Sequence, residues 1–225
     1  MDRAFLLDFL RQLAANNHKA WMDANRADYH RARAIYTEFV AELLRGAARF
    51  EPDLAPLTPS DVMFRINKND RFQQSNEPYK RHMGAGVKPG GRHSPWAGYF
   101  IALEPGGASY VGAGRWMPEP AQLTRIRQEI HYNGAGFHAM RQQPDLLRHY
   151  PNGLDRNQVL KTAPKGYDRA DPDLEWLQLK SHFVWHSIPD THVLCPDFPE
   201  QVLTAWQAAQ PLVHFLNEAM QPDAD

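Results

Sequence analysis

Ala97-Gly98-Tyr99-Phe100-Ile101-Ala102-Leu103-Glu104-Pro105-Gly106-Gly107-Ala108-Ser109-Tyr110-Val111-Gly112-Ala113 is two short apolar runs joined by a proline and paired glycines. Aromatic and β-branched residues suit a pleated backbone and Pro-Gly-Gly interrupts it, so the stretch predicts an antiparallel hairpin of Ala97–Leu103 and Ser109–Ala113. Both strands are apolar on both faces, which predicts burial on both. A further strand is expected on each side of the hairpin. Asp61 to Asn67 alternates Val62, Phe64 and Ile66 with Met63, Arg65 and Asn67, a period of two. Leu179 to Ile188 reads as the other strand.

Helical patterns surround these strands. Arg3 to Ala15 predicts one helix, and after Asn16-Asn17 a long one runs from about Lys19 to Arg49, with Ile35, Tyr36, Phe39, Val40, Leu43, Leu44 and Ala47 on one stripe. Pro118 is expected to open the next helix, with Leu123, Ile126 and Ile130 on its buried face and Asn133-Gly134 at its end. Short helical pieces reach Tyr150, and Pro199 to Met220 closes the chain, split at Pro211. No repeat or Gly/Ser/Pro-rich linker divides the sequence. The expected class is α+β: a single domain over residues 1–225, with a mostly antiparallel central sheet, packed helices and long N-terminal and C-terminal helices.

Composition narrows the function classes. With 25 Lys+Arg against 26 Asp+Glu the chain has no overall field to gather nucleic acid or anionic membrane. Nucleic-acid binding is therefore disfavoured, and any basic site must be local. The single cysteine, Cys195, has no internal disulfide partner, which suits a reducing compartment. No apolar run of about 18 residues is present to span a membrane, and the N-terminal apolar run is interrupted by Asp8 and Arg11. The cytoplasm is the expected location, and oligomeric state is not set by the sequence.

The basic part lies in the middle. Asp61 to Phe100 carries Arg65, Lys68, Arg71, Lys80, Arg81, Lys88 and Arg92 against Asp61, Asp70 and Glu77. If Phe64 and Ile66 point inward, Arg65 and Asn67 project from the other face, where the loop expected from Asn69 to Pro95 can bring Arg71, Tyr79 and Lys80 alongside. Arginine offers a planar fork for two oxygens, lysine a point charge and tyrosine a hydroxyl or stacking face, a combination suited to a phosphate or carboxylate. The competing reading is that these cations are solvated or pair with Asp61, Asp70 and Glu77.

A second polar set is Lys161-Thr162-Ala163-Pro164-Lys165-Gly166-Tyr167-Asp168, with Lys180 beyond it. On the expected strand Leu179, Phe183 and Trp185 share one face and Lys180, His182 and His186 the other, which makes the second face polar. Four strand residues would put His182 and His186 about 13 Å apart, too far to share a metal ion. No metal is expected. Gly112-Ala113-Gly114-Arg115 and Gly84-Ala85-Gly86 match a phosphate-cradling loop only weakly and read as turn and flexible loop. No Gly-x-Ser-x-Gly elbow, His-Glu-x-x-His or Walker sequence occurs, and no cofactor is expected.

Phe64-Arg65-Ile66, Arg71-Phe72, Pro78-Tyr79-Lys80 with His82, Trp116-Met117-Pro118-Glu119-Pro120, Ile126-Arg127-Gln128-Glu129-Ile130 and Pro164-Lys165-Gly166-Tyr167 with Leu179-Lys180-Ser181 resemble the signatures of a bacterial and fungal family, domain of unknown function 2461. The opening Asn17-His18-Lys19-Ala20-Trp21-Met22 is similar to that family's start, so the resemblance runs over nearly the whole chain. It brings no established activity. It implies weight for Arg65, Arg71, Tyr79, Lys80, Lys165 and Lys180, which the family pattern keeps. Lys68 and Asn69 stand where the pattern has Arg-Asp, and Gln73-Gln74-Ser75-Asn76 replaces a Ser-Lys-Asp-Lys-like run. An amide such as Asn69 neither gives nor takes a proton near neutral pH, so the departure favours binding over catalysis.

The expected function is thus a small phosphate- or carboxylate-bearing ligand held by Arg65, Arg71, Lys80, Lys165 and Lys180, with Tyr79 hydrogen-bonding or stacking. A hydrolase or transferase acting on such a ligand is the alternative, with Glu104, Glu119 or His82 to move protons. A nucleic-acid-binding module, using Phe72 and Tyr79 as stacking faces, comes third.

Overall fold

The computed structural model describes residues 1–68 and 77–221. In chain order its elements are α1 (Arg3–Ala15), α2 (Lys19–Ala24), α3 (Arg26–Ala47), a 3-10 turn (Pro52–Leu54), α4 (Pro59–Val62), β1 (Met83–Val87), β2 (Gly98–Leu103), β3 (Ser109–Arg115), α5 (Pro120–Tyr132), α6 (Gly134–Arg141), α7 (Pro144–His149), α8 (Leu174–Leu177), β4 (His182–Ile188), α9 (Asp190–Val193), α10 (Phe198–Ala208) and α11 (Gln210–Met220). The strands form one antiparallel sheet in the order β1-β2-β3-β4, and the fold is α+β. Two compact units can be recognised. The first comprises Met1–Ser94, Phe100–Val111 and Ser187–Thr204; the second comprises Pro95–Tyr99, Gly112–His186 and Ala205 onward.

In the first unit α3 supplies the spine. Ile35, Tyr36, Phe39, Val40, Leu43, Leu44 and Ala47 are all buried, as the helical spacing required. Each larger apolar side chain so buried contributes about 1.5–3 kcal/mol. Phe39 stacks on Phe198 with ring centroids 5.5 Å apart, and the Tyr36 hydroxyl donates to the Ile101 carbonyl at 3.2 Å. Arg3 is buried because its guanidinium donates to two carbonyls, Val193 at 2.7 Å and Cys195 at 2.6 Å. The hairpin turn between β2 and β3 is held by Asp190, whose carboxylate accepts from the Gly106 and Gly107 amides at 3.0 and 2.9 Å.

The second unit packs α5 against α11 and α8, with Ile126 and Ile130 fully buried. Phe137 lies between Phe215 and Trp176, at 5.6 and 5.8 Å, and Tyr99 packs on Trp206 at 5.5 Å. The Tyr150 hydroxyl donates to the Ala205 carbonyl at 3.1 Å. Burial drives its pKa far up and keeps it neutral.

Several expected boundaries move for local reasons. The long helix breaks at Asn25, whose backbone leaves the helical region at φ −109° and ψ 26° while its side-chain amide donates to the Trp21 carbonyl at 2.8 Å. Asn16 ends α1, and His18, not the Asn pair, caps α2 by accepting from the Trp21 amide at 3.2 Å. Asp61 to Asn67 is not a regular strand. Thr58 and Asp61 form a capping box that folds α4, and only the isolated antiparallel bridges Met63 to Ala85 and Asn67 to Tyr79 follow it. The expected loop up to Pro95 contains β1. Helix α5 starts at Pro120 behind Glu119, two residues later than expected, and Gly112-Ala113-Gly114 lies inside β3. The last strand begins at His182, with Leu179 paired only by an isolated bridge to Val159.

Candidate functional site

Phe64 was expected in the core, but it is 39% exposed. Its amide donates to the Gly84 carbonyl at 2.9 Å, which sets the segment beside β1, and its ring then lies over the strand. A Cβ at Gly84 would come within 3.5 Å of both Phe64 Cδ2 and His82 Cδ2, and one at Gly86 within 3.1 Å of Phe64 Cζ and 3.5 Å of Phe100 Cε1. The two glycines form a floor for an aromatic platform edged by His82 and Phe100. The close approach of Phe64 Cζ accounts for a glycine at 86 in the strand, whereas a Cβ at Gly84 would make ordinary contacts.

Lys80 stands over that platform. Its Nζ donates to the Arg65 carbonyl at 2.9 Å and lies 5.5 Å from the Phe64 ring centroid, within cation–π reach. Among the described residues no carboxylate lies within ion-pair distance of it. Partial burial holds its pKa below the ordinary lysine value. The neighbouring cations differ: Lys68 and Arg81 both pair with Glu77, and Arg81 and then Lys68 draw the Glu77 pKa down. Beside Lys80, His82 Nδ1 is 3.3 Å from Glu104 Oε2. Burial pushes the His82 pKa down and the charge of Lys80 adds to it, against the opposing pull of Glu104. Tyr110 is raised by burial and then by the same carboxylate.

The sequence candidates thus divide. In the first unit, Arg65 is exposed, and among the described residues its guanidinium has no partner. Its carbonyl is what holds Lys80. Tyr79 is only 7% exposed, and its backbone is clamped by Asn17, which donates to the Tyr79 carbonyl at 2.9 Å and accepts from its amide at 3.0 Å. Nothing local in Asn17-His18-Lys19 signals that long-range clamp. Arg71 lies outside the described residues, as do Asn69, Asp70 and Phe72. Glu104 and His82, named for proton transfer, are brought together.

In the second unit, Lys165 is exposed, Lys180 is half-buried with its amide bonded to the Gln158 carbonyl at 3.1 Å, and Glu119 caps α5. The expected polar strand face there is corrected: His182 has no solvent exposure, whereas Trp185 is 38% exposed and donates to Asp155 at 3.0 Å. Burial takes the His182 pKa down to about 4. Two histidines the sequence did not single out are tied to carboxylates, His131 to Asp171 at 2.7 Å and His138 to Asp173 at 2.6 Å. Among the described residues no group of three or more His, Cys, Asp or Glu side chains could hold a metal ion, and no helix is long and apolar enough to cross a membrane.

Residues 6–215 match the family model of the conserved hypothetical proteins called DUF2461. The chain belongs to that family. Comparison with curated proteins and with solved structures gave no match. The family's description names no activity, so the chemistry must be argued from the geometry around Lys80.

Proposed function

We propose that the first unit binds a small phosphate- or carboxylate-bearing ligand at Lys80, with Arg65 as second cation and the Phe64 ring as floor. The observation that carries this reading is the environment of Lys80 Nζ: a partly desolvated cation held by a carbonyl and a ring, with no carboxylate within ion-pair distance among the described residues. Desolvating a charge is costly, and an incoming anion would supply the missing counter-charge. Lys165, Lys180 and Arg71 are not needed for it. The cytoplasm remains the compartment that best suits the unpaired Cys195.

An enzyme, hydrolase or transferase, acting on such a ligand is the second reading, favoured by the His82–Glu104 pair next to the cation. Calorimetric titration with inorganic phosphate and with acetate tests the binding reading. Replacing Lys80 by Met keeps the stem and removes the charge, and is expected to weaken binding about tenfold or more, the worth of one charge-assisted hydrogen bond. Equal affinity in K80M and the parent chain would overturn it.

A further inference from the structure

The two histidine–carboxylate pairs of the second unit differ in what they leave over. In one, His138 Nε2 is 2.6 Å from Asp173 Oδ1 and Nδ1 accepts from Arg141 Nε at 3.0 Å, so both ring nitrogens are used. That histidine is a structural link. In the other, His131 Nδ1 is 2.7 Å from Asp171 Oδ2. The Asp171 side chain is 3% exposed and its second oxygen accepts from the Asp173 amide at 2.8 Å, so both oxygens are held. A carboxylate only accepts, which puts the proton of the neutral His131 ring on Nδ1 and leaves the lone pair on Nε2. The His131 side chain is 42% exposed, and among the described residues Nε2 has no hydrogen-bond partner. Arg127, one turn earlier on α5, donates to the Leu177 carbonyl at 2.7 Å and the Leu179 carbonyl at 3.4 Å. This ties the helix that carries His131 to α8, whose N-terminal flank carries Asp171, and so fixes the pair from outside. Two tyrosine rings meet the imidazole at steep angles, Tyr167 and Tyr132, with centroids 5.5 and 5.1 Å away, and Tyr132 is 83% exposed. The Tyr167 hydroxyl has no hydrogen-bond partner among the described residues, and burial pushes its pKa up, which keeps it a donor.

We propose that His131 is the general base of a second site, where it activates water to hydrolyse a small carboxylic ester bearing a flat aromatic group, with Asp171 as its positioning residue. The tyrosine rings suit the flat group, and the Tyr167 O–H is available to an oxyanion. Nε2 takes a proton from water as the water oxygen attacks the carbonyl carbon; a C–O bond forms and the carbonyl π pair moves to oxygen. When that pair returns, the bond to the leaving oxygen breaks and the imidazolium gives its proton to that oxygen. Ester and water thereby become carboxylic acid and alcohol. The Nδ1 proton stays on His131 throughout, and Asp171 stabilises the transient imidazolium. No step uses Lys80, so this site is independent of the anion-binding reading.

The probe is para-nitrophenyl benzoate, with nitrophenolate release by the intact chain followed over many turnovers. His131→Asn should lower kcat/KM about a hundredfold, within the ordinary worth of a general base, while a change at the exposed His192, His192→Gln, leaves it unaltered. Asp171→Asn should lower kcat about tenfold or more with KM nearly unchanged, because it acts through the ring and not on the ester. Nitrogen NMR of the parent chain reads the tautomer directly and needs no variant to fold: the neutral His131 ring should carry its proton on Nδ1, and Asp171→Asn should spread that proton over both nitrogens. Turnover equal in H131N and the parent chain overturns the inference. So does parent turnover no faster than that of free imidazole at the same concentration, or a neutral His131 ring protonated on Nε2.

Discussion

The chain contains two Gly-Ala-Gly stretches, Gly84-Ala85-Gly86 in β1 and Gly112-Ala113-Gly114 in β3, and each lies beside a histidine. They do opposite things. At β1 the missing side chains leave room for a ring: Phe64 lies over the strand, with His82 and Lys80 at its edge and partly open to water. At β3 they admit a backbone: a Cβ at Gly112 would be 2.6 Å from the Val184 carbonyl oxygen, and one at Gly114 would be 2.4 Å from that of His182. His82 keeps a carboxylate partner and some exposure, whereas His182 is sealed, with its Nε2 3.3 Å from the Trp176 carbonyl and its Nδ1 without a hydrogen-bond partner among the described residues. The same tripeptide builds a platform in one unit and a close strand contact in the other. What distinguishes them is whether the atoms opposite can move.

Alanine substitution should expose the difference most strongly. Gly114→Ala puts a Cβ against main-chain atoms at a φ of 120°, which an L residue rarely adopts, and a loss of about 3 kcal/mol or more in urea unfolding is expected. Gly84→Ala meets only ordinary contacts at 3.5 Å and should stay within about 1 kcal/mol of the parent chain. Equal losses at the two positions would break the comparison.

Next in size is a pH effect from the sealed histidine. His182 titrates near 4 when folded against an ordinary value of 6.5, so between those values the unfolded chain binds the proton more tightly. The stability linked to it is complete above about pH 6.5 and falls as pH drops toward 4, by an amount on the order of 3 kcal/mol. Urea midpoints taken across that range should show the fall, and His182→Leu should flatten it. A slope unchanged in H182L would assign the acid sensitivity to other groups.

The smallest expected effect concerns the open histidine. Glu104 opposes the downward push on His82, so Glu104→Gln should lower the His82 pKa further, seen in an NMR titration of the ring protons, while stability changes by less than about 1 kcal/mol. A rise in that pKa would mean that His82 and Glu104 are not coupled as the 3.3 Å contact implies.

What could be read along the chain was what depends on near neighbours. The α3 stripe followed from its three- and four-residue spacing, and the hairpin from two apolar runs about Pro105-Gly106-Gly107. The helix break at Pro211 followed from its missing N–H. Basic residues around Lys80 were visible as well, but which of them are neutralised was not, because Lys68 and Arg81 share a carboxylate while Lys80 meets a carbonyl.

Sequence by itself determined the α+β class, the helix faces, the turn and the location of the basic segment, since all of these follow from period, breaker residues and local charge. Only the tertiary structure decided that Phe64 faces outward, that two similar glycine pairs serve a ring and a backbone, that Asn17 clamps Tyr79, and that His82 finds Glu104 while His182 is sealed. The physical reason is that burial, hydrogen-bond partners and the electrostatic surroundings of a base are set by atoms brought from distant parts of the chain, and no local spacing records them.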